Sequence, residues 1–165
     1  MKRFEIFPRA GIGPIKFGAS RAAVREALSA EEFVFEESRG SQDYFSKATI
    51  QVEYEDDGTA SFIGISNYDG LSLLFQGVDL FDVEASAVFD LLAQTDGSGE
   101  HAFSPFEYVF PNQILTLYEA DTQYDRRRAE SRAVWGQIGA GDARYLDAIL
   151  KIQGGQLNRP PSKRK

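Results

Sequence analysis

One histidine and no cysteine among 165 residues already narrow the chemistry open to this chain. Without Cys there is no thiol nucleophile, no thiolate metal site and no disulfide framework. His101 sits in the loop-like stretch 96–103. A base for acyl transfer needs a nucleophile and an orienting acid around it, and no motif marks either one. The expectation for His101 is a surface residue. A zinc or iron site would have to rest on carboxylates almost alone, so neither a metal nor another cofactor is expected.

Three further groupings invite a chemical reading. Gly11, Gly13 and Gly18 suggest a phosphate loop, but their spacing matches neither the dinucleotide fingerprint nor the GK[ST] ending of a P-loop. Pro14 also removes a backbone N–H where a phosphate would want one, so a turn leading into a helix is expected. Glu53, Glu55, Asp56 and Asp57 gather at a hairpin end without the spacing of a calcium loop. As paired acids for glycosidic cleavage they would need a defined separation in space, which sequence does not supply. Arg126, Arg127 and Arg128 could meet a phosphate, yet Asp121, Tyr124 and Asp125 beside them favour local ion pairs. No catalytic constellation emerges, and the chain is expected not to be an enzyme.

The elements that must position these residues follow from periodicity. Ser20 is a good N-cap for a helix to about residue 28, with Ala23, Val24, Ala27 and Leu28 as its apolar stripe. A second helix is expected over 83–93, capped by Asp82, with Glu84 in its first turn and Val83, Ala87, Val88, Leu91 and Leu92 inward. Strands are expected over 2–7, 33–37, 44–45, 49–55, 60–66, 71–75, 108–110, 114–119 and 132–138. Asp56-Asp57-Gly58 is a hairpin signal, and the alternation of Ile50, Val52 and Tyr54 with Gln51, Glu53 and Glu55 gives a sheet with one wet face. A third helix over 142–152 ends at Gly154-Gly155, and residues 156–165 read as a disordered basic tail.

Sliding the chain against itself aligns residues 17–57 with 81–121 without a gap. Identities include Phe17/Phe81, Val24/Val88, Leu28/Leu92, Tyr44/Tyr108, Ile50/Ile114 and Tyr54/Tyr118. After an insertion, residues 61–64 align with 133–136. The expected fold is therefore α+β, built as two tandem repeats over 1–70 and 71–140, each a helix packed on antiparallel strands. A C-terminal helix over 141–155 and the tail over 156–165 follow.

Apolar residues make up 42% and charged residues 26%, ordinary for a globular protein. Net charge is −7, and setting aside Arg159, Lys163, Arg164 and Lys165 of the tail leaves the body near −11. That acidity argues against a nucleic-acid-binding body and fits a partner with a basic surface. No signal peptide or membrane-length apolar run is present, which gives a cytoplasmic expectation and no membrane partner.

The run GPIKFGASRAAVREAL resembles the opening of small bacterial helix-plus-sheet domains, as in the small lipoprotein of the outer-membrane barrel-assembly machine. The β-lactamase inhibitor proteins use two such units in tandem. In its acidity the chain is also similar to small immunity proteins that neutralise a cognate bacterial toxin, although it has no lipid-anchor Cys and no secretion signal. The resemblance implies a non-enzymatic protein-binding inhibitor, most simply a toxin-immunity protein facing a basic toxin domain. A general interaction or scaffold domain without inhibitory role is the alternative. Contacts are expected at turns on a rigid sheet: Glu53, Asp56 and Asp57, Tyr68 and Asp69, and Asp121, Tyr124 and Asp125.

Overall fold

The computed structural model describes residues 1–125 and 132–158; Arg126, Arg127, Arg128 and the basic residues from Arg159 onward lie outside the described residues. The fold is α+β. Among the described residues no helix is long and apolar enough to cross a membrane.

Helix α1 (Arg21–Ala30) starts as expected, with the Ser20 side chain accepting from the Ala23 N–H. It turns Val24 and Leu28 into the core and leaves Ala23 exposed. Helix α2 (Ala85–Asp96) begins later than expected, and Asp82 is not its cap. The Asp82 N–H instead closes a turn onto the Asp79 carbonyl. The start of α2 is set by tertiary partners: the Ala85 N–H donates to the Ala133 carbonyl, and Trp135 Nε1 donates to the Ala85 carbonyl at 2.9 Å. Ala85, Val88, Phe89 and Leu92 point inward, while Ala87 is exposed. Helix α3 (Ala143–Ile152) is capped by Asp142, which accepts from the backbones of Arg144 and Tyr145.

The smaller sheet contains β1 (Lys2–Phe7), β2 (Gly11–Ile12), β3 (Ile15–Lys16), β8 (Leu71–Phe75) and β9 (Val78–Asp79), in the order β3-β2-β1-β8-β9. Strands β1 and β8 pair in parallel, Phe4 opposite Leu73, which departs from the all-antiparallel expectation. A long crossover makes this possible, since residues 8–70 lie between them. The early glycines serve close packing here. A Cβ on Gly11 would lie 2.1 Å from the Ile15 carbonyl oxygen, and one on Gly13 2.6 Å from the Phe4 ring.

The larger sheet has seven strands, each antiparallel to its neighbours. They are β4 (Phe35–Arg39), β5 (Gln42–Phe45), β6 (Ile50–Tyr54), β7 (Ala60–Ile65), β10 (Tyr108–Phe110), β11 (Leu115–Asp121) and β12 (Val134–Gly141). Their order is β10-β11-β12-β7-β6-β5-β4, so strands from both sides of residue 70 share one sheet. Register lines up Phe45, Ile50, Ile65, Ile138, Leu117 and Tyr108 in one inward row. With α1, α2 and the smaller sheet above it, this face encloses the core.

The aligned helix positions Val24 and Val88, and Leu28 and Leu92, are all buried. In the strands the gap-free alignment slips by one residue. Leu115 and Leu117 take the inward places of Ile50 and Val52, because Ile114, at φ 55°, turns the chain just before β11. Tyr54 is therefore 4% exposed and Tyr118 47%. The later alignment slips further: Ile65 pairs with Ile50 as Ala140 pairs with Leu115, which sets Gly64 against the place of Gly139 and not of Gly136.

Leu92 is fully buried at the centre of α2. Leu92→Ala is expected to cost about 2–5 kcal/mol through lost transfer energy and a residual cavity. Urea denaturation measures this as a fall in midpoint at unchanged slope.

Candidate functional site

The outer face of the larger sheet is where side chains remain available. One row across it reads Tyr44, Gln51, Gly64, Gly139, Thr116 and Val109, with two glycines at the central pair. The missing Cβ atoms let larger neighbours lie flat. A Cβ on Gly64 would meet the Gln137 carboxamide at 2.5 Å, and one on Gly139 the Phe62 ring at 2.6 Å. Gln137 Nε2 donates to Gln51 Oε1 at 3.2 Å, Tyr44 donates to Gln42 Oε1, and Gln42 donates to Glu53 Oε1. The face is thus a flat, hydrogen-bonded Gln/Tyr surface. Helix α3 covers one part of it, where Tyr145 stacks on Phe62 at 4.4 Å.

A cleft opens at each end of this face. The first, of about 380 Å³, lies between α3 and the sheet and holds Glu53, Glu55 and Glu107 against Tyr145, Ile149 and Ile152. Burial, with help from the Glu55 charge, pushes the Glu53 carboxyl above its ordinary range despite the Gln42 bond that opposes the rise. The second, of about 510 Å³, brings together Tyr68, Asp69, Tyr124 and Gly136. Asn67 Nδ2 donates to the Tyr124 carbonyl there, and the Tyr124 hydroxyl donates to Glu119.

The residues expected at a binding surface are therefore separated. Glu53 lines the first cleft, and Tyr68, Asp69 and Tyr124 meet in the second. Asp56 is exposed on the β6–β7 turn. Asp57 accepts from the Thr59 N–H and hydroxyl, which hold its carboxyl below the usual range, so it is first a turn residue. Asp121 ends β11 and caps the 3-10 turn 122–124. Asp125 is buried against Arg132, with Oδ2 3.1 Å from the guanidinium Nε, which removes it from the surface. Its acidic, turn-like context suggested exposure, and only the fold supplied the buried arginine.

Two buried polar clusters carry no sequence signature. In the first, Asp43 sits on the inward face beneath α1 with no exposure. It accepts from Arg25 at 2.9 and 3.1 Å, from Ser38 at 2.6 Å and from the Tyr54 hydroxyl at 3.2 Å. Burial alone would raise its carboxyl, but the bonds from Arg25 and Ser38 and the charges of Arg21 and Arg25 win and hold it low.

In the second, His101 is half-buried rather than on the open surface. Its Nε2 lies 2.7 Å from Ser98 Oγ and its Nδ1 2.6 Å from the Tyr108 hydroxyl. Ser98 donates to Asp96, which also accepts the backbone N–H groups of Asn112 and Gln113. With the serine proton committed to that carboxylate, His101 donates to Ser98 and accepts from Tyr108. This direction is the reverse of nucleophile activation, in which the histidine takes the serine proton. The cluster fastens the end of α2 to the 111–114 turn. Among the described residues no group of three or more His, Asp or Glu is placed to hold a metal ion.

Fold and surface together define an α+β protein whose large antiparallel sheet is packed by helices on one face and left partly open on the other. No protein-family model matches the chain, and no curated protein or solved structure is significantly similar to it.

Asp43→Ala removes the acceptor shared by Arg25, Ser38 and Tyr54. It is expected to cost about 2–4 kcal/mol, below the full penalty for a broken buried pair because both arginines reach water. The Asp43 carboxyl is held low in the fold, so its contribution is complete above the unfolded carboxylate pKa and fades as pH falls through the lower folded value. Denaturation of wild type and variant from pH 7 to 2 measures this as a gap that closes in acid.

Proposed function

We infer that this protein is a non-enzymatic, protein-binding inhibitor of the immunity type, which neutralises a bacterial toxin domain bearing a basic cleft in the cytoplasm. The observation that carries the reading is the outer sheet face. Tyr44, Gln42 and Glu53 are tied in one hydrogen-bonded chain there and Gln137 to Gln51 in a separate pair, so little side-chain freedom is lost on docking. Tyr118 stands out from the same face with 47% exposure and offers rigid contact area with a polar tip. Acids stand beside it, with Glu53 and Asp56 toward one end and Glu119 and Asp121 toward the other. They complement a basic partner and speed encounter.

The reading includes an origin in two tandem helix-and-strand units. Its support is that the β5–β6 and β10–β11 hairpins share their registers, Phe45 opposite Ile50 and Phe110 opposite Leu115. Each hairpin also leads toward the central β7–β12 pair.

The test is co-purification of the full chain with the product of the adjacent gene, followed by binding kinetics. A neighbour that kills cells only when this protein is absent supports the inhibitor reading. A neighbour that is bound but harmless favours the scaffold alternative, and one that is neither bound nor toxic overturns both. Within a complex, Tyr118→Ala is expected to raise koff by about ten-fold or more. Asp56→Lys is expected to slow association and weaken its salt dependence, and both variants should melt as wild type does.

A further inference from the structure

Helix α3 has no fully buried residue, although its sequence is strongly two-sided. Tyr145 rests on Phe62, but Ile152 is 84% exposed and Ala148 is exposed beside it. This apolar strip forms one wall of the cleft of about 380 Å³, and the opposing walls carry Glu53, Glu55 and Glu107. Among the described residues no basic side chain lines the cleft. Arg144 lies outside the lining but feels the Glu55 charge, and its donors go to Asp142, to Thr59 Oγ1 and to the Ala60 carbonyl. Glu55 accepts from Ser61 and Glu53 from Gln42, one bond each to a neutral donor. The charges of Glu53 and Glu107 both act on Tyr145, and that of Glu55 on Glu53, so the three carboxylates face one space.

An apolar wall opposite carboxylates suits a side chain with a hydrocarbon stem and a cationic head. We propose that this cleft receives an arginine side chain of the partner protein, its stem along Ile149 and Ile152 and its guanidinium between Glu53, Glu55 and Glu107. Arginine fits better than lysine, because a planar five-donor head can bond carboxylates on different walls at once. The volume is at the small end of ligand pockets, about 300–1,000 Å³, and suits one long side chain. The proposal rests on the protein-binding reading above and gives it a specificity pocket.

The experiment needs no partner. Isotope-labelled full-length protein is titrated with Nα-acetyl-arginine amide and, separately, with the neutral isostere Nα-acetyl-citrulline amide, and followed by NMR. Saturable shifts are expected at Glu53, Ser61, Ile149 and Ile152, with the arginine probe about ten-fold tighter, the factor that 1.4 kcal/mol represents. The Glu53 carboxyl should titrate at lower pH with the arginine probe present, because a nearby cation favours the charged form. Glu53→Gln combined with Glu107→Gln should remove the preference for arginine while leaving the amide spectrum folded. Equal binding of the two probes, shifts that do not saturate, or shifts spread evenly over Glu36, Asp69 and Asp121 would overturn the proposal. A partner that binds the double variant as tightly as wild type would also sink it and leave the protein-binding reading standing. A probe that binds as expected in a protein that captures no partner would fault that reading instead.

Discussion

The pairing of β7 with β12 is the constraint on which the rest of the molecule depends. It joins strands from distant parts of the chain into one sheet, with Gly64 opposite Gly139 at its centre. Both faces follow from that register. On the inner face, Ile63 and Ile65 meet Ala140 and Ile138 within a continuous apolar core. On the outer face, the absent side chains let Gln137 and Phe62 lie flat across the seam. A one-residue slip would turn the apolar rows to water and drive the glutamines inward, so burial of one face fixes the register.

Around that sheet, buried carboxylates act as fasteners. Asp43 holds α1 to the β4–β6 end, Asp96 holds α2 to the turn before β11, and Asp125 holds Arg132, which also reaches the Phe81 carbonyl. Asp43 and Asp96 join elements distant in sequence, whereas Asp125 meets an arginine a short way on, and each accepts more than one bond, as a buried charge must if its desolvation is to be offset. Such sites add geometric specificity to a core that is otherwise Phe, Ile and Leu. The same need for satisfied donors explains why the Ser98–His101–Tyr108 chain points its protons toward Asp96 and has no free base to offer.

With its inner face enclosed in the core, the larger sheet presents its outer face, its turns and its edges. One sheet edge is occupied by its own chain, since Asn158 bonds both the N–H and the carbonyl of Val109 on β10. The other edge, β4, is wholly exposed but bears Glu36, Glu37 and Arg39, charges that discourage strand addition. The outer face combines ordered amides, a protruding Tyr118 and two end clefts.

The sequence by itself determined the α+β class, the three helices and most strands. These rest on local signals: the Ser20 cap, the spacing of Val24 and Leu28, the alternation of Ile50, Val52 and Tyr54, and the turn at Asp56-Asp57-Gly58. Tertiary structure decided whatever depends on partners far along the chain. The start of α2 was set by Ala133 and Trp135, and the burial of Asp43 by the arginines of α1. The clefts are of the same kind, since α3 lies over strands formed some 80 residues earlier, as the Arg144–Thr59 bond records. Periodicity reports which side of an element is apolar, because that is a property of neighbouring residues. It cannot report what lies across a gap, because distance in space is set only when the whole core closes.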